Sequence, residues 1–263
     1  KHVRCTPLRA VSCVLAVLCM SGPGLRGQEV ADTARFGIRP TFGAGIGMFA
    51  FLGDIGNGHK NYSPLLTRVG YEFRAGTPLT PWLDVGLYAL HGRMGANERG
   101  LDRNLNFESR VTIGGFEFVY NFHHLLNPQR VVEPYLSVGF ESVEFLSKTD
   151  IYDSEGRAYN YWSDGTIRDL PEYAPNAAQA VQLQRDYSYE SDIRELNLDG
   201  FGKYPERTWA LPIGFGARMH VGAHLDLRLG ASLHLTGTDL IDGVTQDSRE
   251  SRQGNASADR FLF

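Results

Sequence analysis

In the run "LDLRLGASLHL" (225–235) every odd position is apolar and every even one is polar, charged or glycine. Successive side chains of an extended chain point to opposite faces, so the run predicts a strand with one apolar and one polar face. The same alternation fills "TWALPIGFGARMHV" (208–221), "FGIRPTFGAGIGMFAF" (36–51), "RVGYEFRA" (68–75), "WLDVGLYAL" (82–90) and "PYLSVGFES" (134–142). In "RVTIGGFEFVYNF" (110–122) the apolar set changes phase at Gly114 and Gly115, which predicts a β-bulge at the glycine pair. Each of these seven strands is long enough to cross a bilayer at a tilt.

Two architectures accept such strands. A soluble barrel turns the apolar face inward, whereas a membrane barrel turns it to lipid and fills its lumen with the polar face. The connections favour the second. Short links at "GTPLTP", "HHLLNPQRVV" and "HVGAH" alternate with long ones at 52–66, 92–106, 149–205 and 238–259. Outer-membrane barrels have tight turns on one side and long loops on the other. The polar face carries glycine and both signs of charge, at Arg39, Arg68, Glu72, Arg74, Asp84, Glu117, Glu141, Arg218, Asp226 and Arg228. Eight strands enclose only enough room for side chains, so these groups are expected to pair as a lumen charge network. "DRFLF" at 259–263 reads as the opening of an eighth strand. The expectation is thus an all-β, antiparallel, eight-stranded transmembrane β-barrel, seven strands visible and the eighth cut short, with a further domain able to follow.

The first residues support export. Lys1, Arg4 and Arg9 precede an apolar run from Ala10 to Met20 and then Pro23, Gly24 and Gly27, the layout of a cleaved signal peptide over 1–27, with the barrel in 28–263. Cys5, Cys13 and Cys19, all the cysteines of the chain, lie in this leader, so disulfides, thiol nucleophiles and cysteine metal ligands are excluded from the rest. The leader holds four basic residues and no acid, which leaves the remainder more acidic than the formal charge of −4 of the 263-residue chain. An acidic balance argues against a nucleic-acid partner.

Several phrases together carry a family likeness: "FLGDI" (51–55), "YNYWSDGTIRDLPE" (159–172), "RDYSYESDIRE" (185–195) and "LPIGFGARMHV" leading into "LRLGASLHLTGTDLIDGV" (227–244). The set resembles outer-membrane β-barrel proteins of Bacteroidota-type envelopes, both the OmpA-like barrels and those tied to gliding and type IX secretion. "TDLIDGV" (238–244) is similar to their TDYLDDV-like signature and departs from it at Leu240 and Gly243. The resemblance implies a non-catalytic barrel in the bacterial outer membrane with a structural, envelope-anchoring or surface-binding role. One alternative it implies is a component of a secretion or gliding machinery. OmpA-like relatives carry a periplasmic peptidoglycan-binding domain after the barrel.

Loop 149–205 reads as an ordered cap with a short helix around 176–185. It serves either as a lid over the barrel mouth or as a surface for a protein or glycan, with Tyr161, Trp162, Asp164, Tyr187 and Tyr189 as partner-binding candidates. Ser232 and His234 share one strand face below Asp239 and Asp242, the ingredients of a lipid-modifying hydrolase. Small-barrel lumens commonly hold Ser and His, so no catalytic residue is assigned and the chain is read as not an enzyme. Asp239 and Asp242 suit calcium, a partner or turn hydrogen bonds, with the last the commoner use. As a metal site His123–His124 lack nearby acid or thiol partners, and the Asp150, Asp153, Glu155 group lacks calcium-loop spacing. No cofactor or metal is expected, and the predicted surroundings are outer-membrane lipid and a periplasmic or surface protein held by loop 149–205.

Overall fold

A computed structural model describes residues 39–56, 68–100, 103–126, 130–222, 224–254 and 258–263; the expected signal peptide lies outside them. The strands are β1 (Thr41–Met48), β2 (Ala50–Leu52), β3 (Val69–Thr80), β4 (Leu83–Asn97), β5 (Asn106–Asn121), β6 (Val132–Thr149), β7 (Asn160–Tyr161), β8 (Ile167–Arg168), β9 (Ser191–Asp192), β10 (Arg207–His220), β11 (Asp226–Thr236) and β12 (Arg260–Leu262). One helical turn, α1 (Ile193–Leu196), and two 3-10 turns complete the described chain.

The principal sheet is antiparallel throughout and runs β1-β3-β4-β5-β6-β10-β11-β12-β2, with β9 added on β6. It therefore contains ten strands rather than the expected eight, and the sheet is not closed into a barrel. The count rises because the first expected strand breaks at Phe49. Its two halves face different neighbours: β1 pairs with β3, while β2 pairs with β12. The two-residue β9 is the remaining addition. Because sequential strands are antiparallel neighbours, the links after β1–β2, β4, β6 and β11 lie at one end, and those after β3, β5 and β10 at the other.

The glycine pair of β5 does not form a bulge. Gly114 and Gly115 pair in unbroken register with Ala89 and Tyr88 on one side and with Ser142 and Glu141 on the other. What changes at this level is the chemistry of the two faces. Below it, towards the short turns, the outer face is apolar: Leu225, Leu227 and Leu229 are 64, 60 and 67% exposed, and Phe42, Ile46, Phe73, Leu87, Phe118 and Phe215 are exposed with them. The inner face there is polar. Above it the faces exchange: Leu90, Met94, Phe107, Val111, Ile113, Val143 and Phe145 fill the interior. Outside, Arg93 pairs with Glu108 and Arg207 with Glu144, each at 3.0 Å.

Phe49, at the break between β1 and β2, is the hinge of the upper interior. Its ring packs on Phe261 and Phe263 at centroid distances of 5.7 and 4.9 Å. The ring lies over Gly70 and Gly92, where any Cβ would stand 2.6 Å from its edge. Replacing a buried phenylalanine with alanine removes transfer energy and leaves a cavity, about 3–5 kcal/mol in all. Phe49→Ala is expected to lower the urea midpoint accordingly and to accelerate hydrogen exchange in β12 before the central strands.

Candidate functional site

The lower interior is a web of charged and hydroxyl groups drawn from most strands. Arg74 on β3 pairs with Glu72 and reaches across to Glu117 on β5. Arg218 on β10 donates to Asp84 on β4 at 3.0 Å, and Asn121 on β5 donates to the same carboxylate oxygen at 3.0 Å. Arg228 on β11 lies over the Tyr135 ring, 4.4 Å from its centroid. A cavity of about 260 Å³ remains among Gly45, Glu72, Arg74, Tyr135, Arg228 and Ser232.

Three of the ten expected lumen charges stand apart from this web. Arg39 precedes β1 and is exposed. Arg68 precedes β3 at the long-loop end, where its carbonyl accepts from the Phe49 N–H at 2.9 Å. Asp226 sits at the lower rim against His220 at 2.6 Å, and His220 also meets Glu133 at 3.2 Å. Each falls at a strand end, where alternation no longer decides which way a side chain faces.

Glu141 organises a second chain of contacts. One of its carboxylate oxygens accepts from the Tyr88 hydroxyl. The other lies 2.7 Å from His234 Nδ1, and His234 Nε2 lies 2.8 Å from Ser232 Oγ. His234 is 2% exposed, with the Phe261 ring stacked on it at 4.5 Å. Sequence reading brought Ser232 and His234 together but looked for the acid at Asp239 and Asp242. The acid is Glu141, placed there by the β6–β10–β11 pairing.

Above the sheet, segments 150–206, 237–254 and 258–259 fold into a cap. Asp150 and Arg185 form its central ion pair at 2.9 Å, both nearly enclosed, and the Tyr187 N–H donates to the same carboxylate oxygen at 3.2 Å. Burial raises the Asp150 carboxyl above its ordinary value, against the opposing pull of Arg185. Asp192 caps α1 by accepting from the Arg194 and Glu195 N–H groups. Asp199 pairs with Arg252 at 3.0 Å, and Ser147 Oγ donates to the Ile241 carbonyl at 2.5 Å, so both loops are tied together and to β6. The expected helix near 176–185 is a single 3-10 turn at Ala177–Gln179. Beyond it the chain is extended because Leu183 N–H bonds the Ile167 carbonyl and its side chain joins a small core with Tyr159 and Ile167.

The five partner-binding candidates are largely consumed by the cap itself. Tyr189 is buried and its hydroxyl meets Asn97. Tyr161 packs on the small core. Trp162 donates to the Leu170 carbonyl at 2.8 Å, with Arg168 over its ring at 3.8 Å. Asp164 accepts from Thr166 and Arg168. Tyr187 remains exposed beneath Arg185 and, with Asp164, borders a cavity of about 450 Å³ also lined by Asn97, Arg99, Gln182 and Arg185. Of the weaker metal groups, Asp153 is held by Arg157 and Asp150 by Arg185. His124 meets the Tyr120 hydroxyl at 3.1 Å; the side chain of His123 lies outside the described residues.

Asp239, Asp242 and Asp259 form, with Asp54, an acidic cluster between the first and last long loops. Burial, reinforced by the Asp54 charge, pushes the Asp239 carboxyl up to about 7. Asp242 and Asp259 are raised chiefly by burial and further by their acidic neighbours. Among the described residues, no three His, Cys, Asp or Glu side chains make a ready-made metal set. No protein-family model, curated protein or solved structure matches this chain.

Carboxyls with folded values above the unfolded one stabilise most below about pH 4 and lose that contribution as pH rises through the folded values. In chelator, the denaturant midpoint of the cap is therefore expected to fall between pH 5 and pH 8.5. Asp242→Asn should flatten this dependence; an equally steep slope in the variant would assign it to other groups.

Proposed function

We propose that this chain is an outer-membrane β-barrel of Bacteroidota type, non-catalytic, which seals its own lumen and carries a folded cap on the outer side. The observation that carries the reading is the exposed Phe and Leu belt around a polar, charge-paired interior. Exposed apolar area on this scale is expensive in water and favourable against lipid. Trp82 and Tyr120, 5.8 Å apart at the short-turn end, suit the aromatic girdle of a membrane interface. The outward exchange to Arg93, Glu108, Glu144 and Arg207 then marks where the wall leaves the bilayer. In this reading β1 and β2 are two halves of one stave, and eight staves complete the wall.

Such a barrel is no pore, because the Arg74, Arg218 and Glu141 contacts and the Phe49, Phe261 and Phe263 rings cross its interior. Its work is to hold the cap, with the cavity beside Tyr187, towards a protein or glycan partner. The protein folded in detergent and run on a denaturing gel should migrate faster unheated than boiled. Solubility without detergent, with no heat-dependent shift, would overturn the membrane reading.

A second reading rests on the Ser232, His234 and Glu141 chain, which has the spacing of a nucleophile, a base and an orienting acid. It would make the lumen an acyl hydrolase. The strand ladder opposes it: Ser232 N–H is spent on the Phe263 carbonyl at 2.8 Å and so is not free as an oxyanion donor. A fluorophosphonate probe is expected to leave Ser232 unlabelled; labelling abolished by Ser232→Ala and by His234→Ala would establish the hydrolase.

A further inference from the structure

We infer that Asp54, Asp239, Asp242 and Asp259 form a calcium site that clamps the first long loop to the last. Asp242 and Asp259 are 1 and 0% exposed. Each spends one carboxylate oxygen on the backbone: Asp242 Oδ1 accepts from the Val244 N–H at 3.0 Å, and Asp259 Oδ2 from the Ile241 N–H at 2.8 Å. Their other oxygens, Asp242 Oδ2 and Asp259 Oδ1, are buried without a hydrogen-bond partner, as is Asp239 Oδ1. A buried carboxylate oxygen in this state carries an uncompensated desolvation cost unless a cation or a proton meets it.

One of the unpartnered oxygens, Asp259 Oδ1, faces the turn that bears Asp54. A Cβ on Gly53 would stand 2.4 Å from Asp259 Oδ1, so that oxygen lies against the backbone beside Asp54. The Ile55 backbone of the same turn lies beside the Asp242 carboxylate. A Cβ on Gly254 would stand 1.9 Å from Asp54 Oδ2, so the last loop also closes on the Asp54 carboxylate. Two nearby guanidiniums are committed elsewhere: Arg103 to Glu98 and to the Asp54 and Arg252 carbonyls, Arg252 to Asp199 and the Gly243 carbonyl. No ion pair joins Asp239, Asp242 or Asp259 to a basic side chain among the described residues.

The donor chemistry selects the ion. All four side chains are carboxylates, without imidazole or thiolate, which suits a hard cation and not zinc or copper. The carboxylates are not yet gathered into a coordination set, and they come from two turns on separate loops. Calcium accepts six to eight oxygens in irregular geometry, whereas magnesium demands a near-ideal octahedron and keeps its water. A cation drawn into this cluster would neutralise the repulsion and pull the two loops together. The inference does not depend on whether the belt below lies in lipid.

Terbium, which takes calcium sites and is excited through nearby tryptophan, is the probe. The Trp209 ring lies against Gly237, where a Cβ would stand 2.4 Å from it, two residues before Asp239. Full-length protein folded in detergent and stripped with chelator is titrated with terbium, then with calcium and magnesium. The expected result is one saturable luminescent site, displaced by calcium at least tenfold more readily than by magnesium. Asp242→Asn and Asp259→Asn should each weaken it tenfold or more, while Asp153→Asn, outside the cluster, should not. Asp239→Asn, at the least buried of the three, serves if the others do not fold. Absence of a saturable site in the natural sequence, equal displacement by magnesium, or retention of full affinity in the aspartate variants would each overturn the assignment.

Discussion

Charge pairing across the lower interior is the constraint on which the rest of the structure depends. Arg74 joins β3 to β5, Glu141 joins β6 to β4 and β11, and Arg218 joins β10 to β4. These links run across the inner face rather than along the ladder, so they tie together strands that are not hydrogen-bonded neighbours where no apolar core does so. Their cost is desolvation, which only complete pairing offsets. Three of the groups therefore have more than one contact: Arg74 has two carboxylates, Asp84 accepts from Arg218 and Asn121, and Glu141 uses both oxygens.

The exchange of faces partway up the wall divides the molecule into two physical regimes. Below, the interior is polar and the exterior apolar; above, the interior has the Phe, Ile, Val and Met content of a water-soluble core. The upper core gives the cap a base. Ile241 and Val244 of the last loop and Ile193 of α1 join the same cluster as Phe107, Val143 and Phe145, so cap and wall share one hydrophobic interior. The cap thus relies on burial against the wall, supplemented by the Asp150–Arg185 pair, rather than on regular secondary structure of its own.

What the sequence made legible follows from range. Alternation is local, so the strand faces of 208–221 and 225–235 could be read directly, and Leu225, Leu227 and Leu229 lie on the outer face. At Gly114–Gly115 the same logic misled: a change in which face is apolar looks like a change in register when the strand is read alone, and only the unbroken pairing with β4 and β6 separates the two. The strand break at Phe49 was hidden because Met48 to Leu52 is a continuous apolar run, in which alternation marks no boundary. Glu141 as the partner of His234, and Asp54 as the companion of Asp242, depend on pairing between distant segments. Aromatic content marked loop 149–205 as ordered, but whether Tyr187 or Tyr189 faces outward is set by packing that composition does not carry.

The pairing of β2 with β12 brings these regimes to one place. It spans three residue pairs, as does the pairing of β11 with β12, and these two are the shortest contacts along the principal path of the sheet. Below and inside it, Phe49, Phe261 and Phe263 pack ring against ring, and Phe261 also lies on His234, which ties the seam to the polar web. Immediately above it stand Asp54, which follows β2, and Asp259, which precedes β12. Aromatic burial holds the seam from beneath while like charges press on it from above. The balance between them is set by whatever neutralises the aspartates, so one of the two shortest pairings in the sheet is also the one most open to control from the cap.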